Sequence, residues 1–149
     1  MEPVETRAAS SDRDRFAEQL RTRLQHMAAA GLTITYGGLA RLLELSPPNT
    51  IHQITVALER LMEQDADAGR PFIAALVLSR ARGGLPAMGF FDCARRLGRF
   101  MGDPNAVEAH SFHATELNAA QKFWGGVRNS VDAASLTGDA SSSTEKSYL

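Results

Sequence analysis

The chain has 149 residues, a formal net charge of −1 and an apolar fraction of 44%, which suits one globular domain with a modest core. The near-neutral charge excludes a broadly cationic protein, and the single cysteine, Cys93, excludes a disulfide within the chain. The N-terminus lacks the apolar core of a signal peptide, and no apolar run approaches the roughly 18 residues of a membrane span. We therefore expect a cytoplasmic protein with no membrane partner.

The first part of the chain predicts two helices. Residues 1–10 are polar and are expected to be disordered, and the serines and aspartate at 10–12 offer the first helix caps. Apolar residues then recur at helical spacing up to Gly31, which indicates an amphipathic helix that ends there. Residues 32–35 are short and β-branched, which predicts either a brief strand or the lead into the next helix with Thr35 as its cap. That second helix is predicted over 36–45.

A turn and two further elements follow. Residues 46–49 read SPPN and break the helix, because proline has no amide donor and restricts the residue before it. A helix is predicted over 50–64, with Ile51 and Ile54 at the start of its buried stripe. Residues 72–78 form a compact apolar run bounded by turn formers, which predicts a buried strand.

The segment after this strand, residues 79–91, reads SRARGGLPAMGFF and contains no acid. It lies within a basic block, residues 70–102, that carries six arginines and one aspartate. Guanidinium groups bind phosphate bidentately, so this block predicts a surface that grips a polyanion. Further helices are predicted over 90–100 and 105–124, and the polar tail 127–149 is expected to be disordered.

Helix, short turn, helix, strand and glycine-rich loop form the outline of a winged helix-turn-helix. The predicted fold class is therefore α+β and mainly helical. A single winged helix-turn-helix-like domain would occupy residues 11–126, with N- and C-terminal helices flanking its centre. Residues 79–91 would form the wing.

The stretch TITYGGLARLLEL, residues 33–45, resembles the opening of the DNA-binding domain of alkylguanine-DNA alkyltransferases and alkyltransferase-like proteins. That family reads Thr/Ser-Tyr-Gly-x-Leu-Ala at this point. The matching residues are Thr35, Tyr36, Gly37, Leu39 and Ala40. The likeness extends over residues 33–90 and implies a winged-helix DNA-binding fold in which Tyr36 lies close to the DNA backbone.

Two departures from the family argue against its chemistry. The nucleophilic cysteine of its Pro-Cys-His-Arg run has no counterpart, since residues 73–80 read IAALVLSR and Cys93 lies beyond the loop. Alkyl transfer needs a thiolate on that strand, so we expect no catalytic residue and no enzymatic activity. The arginine that the family inserts into the base stack falls at His52, which argues against base flipping.

The predicted function is non-enzymatic binding of nucleic acid, with duplex DNA as the favoured partner. The front of the 50–64 helix would enter a groove, and the loop arginines would meet phosphates. The residues predicted to bind nucleic acid are Tyr36, Asn49, Thr50, His52, Gln53, Arg80, Arg82, Gly83 and Gly84. For the two glycines, turn positions with positive φ are the competing interpretation.

The alternative function is a protein–protein adaptor of winged-helix fold. Here residues 85–91 would form an apolar contact patch, with Leu85, Met88, Phe90 and Phe91 exposed to a protein partner. Binding that survives high salt would favour the adaptor over nucleic acid.

One motif has the spacing of metal ligands. His110, His113 and Glu116 recur at intervals of three, so a helix would place them on one face, where they could hold zinc. A fourth ligand is missing from the pattern, which favours ordinary surface histidines. We expect no metal and no cofactor, and Cys93 is expected to be a small core residue.

Overall fold

The computed structural model describes the backbone of residues 2–135 and the side chains of residues 12–126. Within that range, helices dominate, which confirms the predicted mainly helical α+β class. The elements are α1 Glu2–Ala29, β1 Ile34–Thr35, α2 Tyr36–Leu42, α3 Thr50–Asp67, β2 Val77–Leu78, α4 Met88–Arg96 and α5 Val107–Ser135. No helix among the described residues is long and apolar enough to cross a membrane.

The chain ends are more helical than the sequence predicts. Helix α1 begins at Glu2, inside the segment 1–10 expected to be disordered, which corrects the predicted start at 10–12. Helix α5 continues through 127–135, the first part of the tail expected to be disordered. The rest of that predicted tail, 136–149, lies outside the described residues.

The two strands form a small parallel sheet in which Ile34 lies opposite Val77 and Thr35 opposite Leu78. A parallel pair needs a long crossover, and here α2 and α3 supply it. The expected wing does not form a β-hairpin within the described range. Residues 80–82 make one turn of 3₁₀-helix, and α4 begins at Met88. A winged helix is thus not confirmed. Helices α2 and α3 follow one another, but α2 ends at Leu42 and not at the predicted residue 45, so residues 43–49 connect them.

The core is built around residues 72–77, which we call the central segment. All six residues are at most 2% exposed, and helices α1, α3 and α5 surround them. The predicted strand over 72–78 is wrong for most of its length, because Ile73–Leu76 is a 3₁₀-helix and only Val77–Leu78 is a strand. A short, uniformly apolar run has no periodicity that separates a strand from a buried helical turn.

Side chains from two helices accept from the first two backbone N–H groups of the central segment. Asp65 of α3 is fully buried and accepts hydrogen bonds from the N–H of Ile73 at 3.1 Å and from Arg21 at 2.9 Å. It also pairs with Arg70 at 3.0 Å. Glu116 of α5 accepts from the N–H of Phe72 at 2.7 Å. Buried backbone groups need such partners, so these acids fix where the segment lies.

The HSFHATE motif serves the same segment. His113 is 6% exposed, and its Nε2 lies 2.9 Å from the carbonyl oxygen of Ala75, which can only accept, so Nε2 carries the proton. Glu116 is 8% exposed and also pairs with Arg99. The expectation of surface histidines is therefore wrong for His113, while His110 is exposed.

Candidate nucleic-acid interface

The candidate site lies where the two parallel strands end. Because Thr35 is paired with Leu78, the next residues of both strands, Tyr36 and Ser79, leave the sheet at the same edge. The first turns of α3 complete a groove there of about 430 Å³, which we call the strand-end groove. Its lining residues are Thr35, Tyr36, Gly37, Arg41, Ile51, Thr55, Ser79, Arg80, Ala81 and Ala87.

Two arginines give the strand-end groove its charge. Arg41 and Arg80 are both exposed, and neither guanidinium has a hydrogen-bond or ion-pair partner among the described residues. No carboxylate belongs to the set of described residues that line the groove. The groove therefore presents a positive potential that lining residues do not neutralise.

Tyr36 is half-buried at this groove. Burial raises the pKa of its hydroxyl, a hydrogen bond with the Ala87 backbone lowers it, and the negative charge of Glu59 raises it. The net effect is a raised pKa, so the hydroxyl keeps its proton at neutral pH. Tyr36 can therefore act as a hydrogen-bond donor without adding negative charge to the groove.

Helix α3 contributes an apolar side chain that the sequence analysis places in the core. Ile51 is 46% exposed and lines the groove, whereas Ile54 is fully buried. Ile51 and Thr55 are four residues apart, so they share a helix face, and that face looks toward the groove. The predicted buried stripe therefore begins at Ile54 and not at Ile51.

Sequence reasoning also missed Arg41. Its guanidinium lies over Gly37, where an added Cβ would come within 3.8 Å of Nη1. The signal was present, because Arg41 follows Gly37 by one helical turn and so shares its face in α2. Arg41 lies outside the residues of this helix that match the family.

Five of the six arginines of the predicted basic block make contacts within the fold, although Arg95 and Arg96 remain exposed. Arg82 donates to the carbonyl oxygen of Pro104 at 2.7 Å and lies over the ring of Phe91, and it does not line the groove. Its neighbours are tied in the same way: Arg70 to Asp65, Arg95 to the Gly102 carbonyl, Arg96 to Glu63, and Arg99 to Glu116. Arg80 is the one arginine of the block that lines the groove.

Gly83 and Gly84 have positive φ values of 62° and 96°, a conformation that favours glycine. The loop closes tightly, because the N–H of Ser79 donates to the carbonyl oxygen of Leu85 at 2.7 Å. Neither glycine lines the strand-end groove. Turn geometry accounts for both, so their predicted ligand contact is not supported at this site.

The remaining predicted contacts lie elsewhere. His52 and Gln53 line a second groove of about 500 Å³ between α1 and α3, together with Phe16, Val56 and other residues. Asn49 adopts the left-handed conformation with φ of 65° and makes no side-chain cap. Neither Asn49 nor Thr50 lines the strand-end groove. Of the nine predicted residues, only Tyr36 and Arg80 are brought together there.

The groups that would support other functions are buried. Cys93 is 2% exposed in α4, and burial raises the pKa of its thiol to about 11, so it is not a ready thiolate. In the predicted adaptor patch, Leu85, Phe90 and Phe91 are at most 7% exposed and only Met88, at 38%, reaches solvent. The prediction that these residues form an exposed apolar contact patch is therefore wrong. Among the described residues, no cluster of three metal-ligating side chains is found.

Comparison of the chain with models of protein families, with curated proteins and with solved structures finds no match. The resemblance to alkyltransferase DNA-binding domains at residues 33–45 therefore stays a prediction. What the protein binds is inferred from the geometry and charge of its own groove.

Proposed function

We propose that this protein binds nucleic acid without catalysing a reaction, and that the strand-end groove holds the phosphate backbone. One observation carries this proposal. Arg41 and Arg80 line one groove that also contains a protonated tyrosine hydroxyl, and no carboxylate among the described lining residues competes for them. Guanidinium forks and hydroxyl groups are common donors to phosphate oxygens in nucleic-acid complexes.

Each lining group has a defined role in this proposal. Arg80 and Arg41 contact phosphates, and the hydroxyls of Tyr36, Thr55 and Ser79 donate hydrogen bonds to phosphate or sugar oxygens. The resemblance supports the role of Tyr36, since the family's matching tyrosine lies close to the DNA backbone. Only part of the winged-helix likeness is used in this proposal. Helices α2 and α3 supply the helix pair, and a tight loop after β2 carries Arg80 where a winged helix would have a hairpin.

The expected electrostatic contribution is modest. With most arginines of residues 70–102 engaged in internal contacts, the groove offers two phosphate contacts from arginine. Each neutralised phosphate contributes about 0.7–0.9 to the slope of log affinity against log salt. We therefore expect a slope of roughly −1.4 to −1.8, and binding that weakens clearly between about 50 mM and about 200 mM salt.

Fluorescence anisotropy with labelled oligonucleotides at those two salt concentrations tests the proposal. Arg80→Ala should weaken binding about fivefold to tenfold and reduce the salt slope by about 1. Arg15→Ala is the matched control, because it removes the same charge from α1, where the side chain is 68% exposed and, among the described residues, pairs with Asp12 alone. Equal effects of the two variants, or no salt dependence, would contradict the proposal.

A further inference from the structure

We infer that the strand-end groove prefers single-stranded nucleic acid to a duplex, an inference that rests on the proposed function above. The residue that points to this preference is Ile51. Its side chain is 46% exposed and lines the same groove as Arg41 and Arg80. The two arginines have no partner within the described part of the chain, and an exposed apolar side chain lies beside them. This combination matches a ligand that offers both phosphate and apolar surface.

A single strand offers that combination and a duplex does not. In a duplex, the faces of the bases are stacked on one another and only their edges reach a groove. In a single strand the bases can be splayed out, and their faces then pack on protein side chains. Ile51, the ring of Tyr36 and the methyl groups of Ala81 and Ala87 give the groove an apolar lining for such a base.

The size of the charged surface leads to the same preference. Proteins that grip duplex DNA commonly make about 6–10 phosphate contacts. Here five arginines of residues 70–102 are held by the fold, which leaves Arg41 and Arg80 at the groove. The groove volume of about 430 Å³ lies in the range of sites for small ligands, which suits one nucleotide and its phosphate.

The loop after β2 removes a further means of holding a duplex. The Ser79–Leu85 hydrogen bond closes this loop into a compact turn, and α4 begins three residues later at Met88. Within the described residues, no hairpin projects beside α3 to contact the second strand of a duplex. The site is thus a concave groove at a sheet edge, which suits one strand.

The test measures anisotropy at about 50 mM salt with a DNA strand of about 12 nucleotides, the RNA strand of the same sequence, and the DNA duplex. We expect at least one single strand to bind about tenfold more tightly than the duplex. Comparison of the DNA and RNA strands shows which sugar the groove favours, and either answer supports the inference. Ile51→Ala should weaken single-strand binding about threefold to fivefold and leave the salt slope unchanged.

Val56→Ala is the matched control, because Val56 is 42% exposed on the same helix but lines the other groove. Duplex binding as tight as single-strand binding, or Ile51→Ala behaving like Val56→Ala, would overturn the inference. The proposed function stands in those cases if Arg80→Ala still weakens binding. If neither form binds, or if Arg80→Ala has no effect, the proposed function fails and the inference fails with it.

Discussion

Glu116 accepts a 2.7 Å hydrogen bond from the backbone N–H of Phe72, a residue that lies 44 positions earlier in the chain. The same Oε2 atom accepts from Arg99 at 2.7 Å. This contact anchors the start of the central segment, which leads through β2 to Arg80. The position of the candidate site therefore depends on a buried acid in α5 that lies outside the groove.

Replacing Glu116 with alanine should lower the free energy of unfolding by about 2–4 kcal/mol, because it leaves a buried N–H and an arginine without their acceptor. Glu116→Gln should cost less, since its amide oxygen can still accept from Phe72. Urea denaturation measures both. Glu108→Ala, at an exposed position in the first turn of α5, should cost less than about 1 kcal/mol. A similar loss in the Glu108 and Glu116 variants would refute this role.

His113 should make stability depend on pH. The pKa of His113 is lowered from 6.5, chiefly by burial and also by the nearby His110. The hydrogen bond to Ala75 and the charge of Glu116 raise this pKa, but they do not cancel the lowering. The unfolded chain therefore takes up the proton more readily than the folded chain. This contribution to stability is fully present above about pH 6.5 and is lost as the pH falls through the folded-state pKa.

The Tm of the wild type should therefore be lower at about pH 5.5 than at about pH 7.5. His113→Gln keeps a donor for Ala75 but does not titrate, so it should lose part of this difference. His52→Gln changes an exposed histidine and should retain the wild-type difference. If both variants keep the full difference, His113 is not its source.

Two adjacent glycines of α5 provide a matched pair. A Cβ at Gly125 would lie 3.0 Å from the carbonyl oxygen of Ala28 and 3.2 Å from Cα of Ala29, so α1 and α5 would have to move apart. At Gly126 a Cβ meets nothing within 4 Å. Gly126→Ala should raise the free energy of unfolding by about 0.5–1 kcal/mol through helix propensity, and Gly125→Ala should not. Equal stabilisation by the two variants, measured in urea, would contradict this packing.

Cys93 should resist alkylation in the folded protein. Its thiol is buried, and its pKa is raised to about 11, so little thiolate is present near pH 8. Treatment with iodoacetamide should modify Cys93 slowly in buffer and at an ordinary rate in urea, as mass spectrometry can follow. Fast modification of the folded protein would show an accessible thiolate and would contradict the burial of Cys93.

Local signals explain what the sequence predicts correctly. Thr35 caps α2 as expected, because its Oγ1 accepts from the N–H of Gly38 at 3.0 Å, an interaction between residues three apart. The SPPN turn and the start of α3 also follow from adjacent residues. These elements bring Tyr36 to the groove, where Arg80 is the other predicted residue in the lining.

Long-range contacts explain what the sequence does not predict. An arginine is free to bind a ligand only if no group within the protein already holds it. Arg82 donates to the carbonyl oxygen of Pro104, a residue that lies 22 positions later in the chain. The burial of His113 and the 3₁₀ turn at Ile73–Leu76 likewise depend on α5 packing on the central segment. The spacing of residues along the chain does not predict contacts between distant residues. The partners of Arg82 and His113 therefore could not be predicted from the sequence.

The location of bound nucleic acid is the most direct test of the account. A ¹⁵N-labelled sample titrated with a short DNA strand at low salt reports which backbone amides sense the ligand. We predict that the perturbed amides cluster at Gly37, Arg41, Thr55, Arg80 and Ala81 around the strand-end groove. Perturbations confined to the second groove at His52 and Val56, or no perturbation at all, would contradict the assignment of this groove.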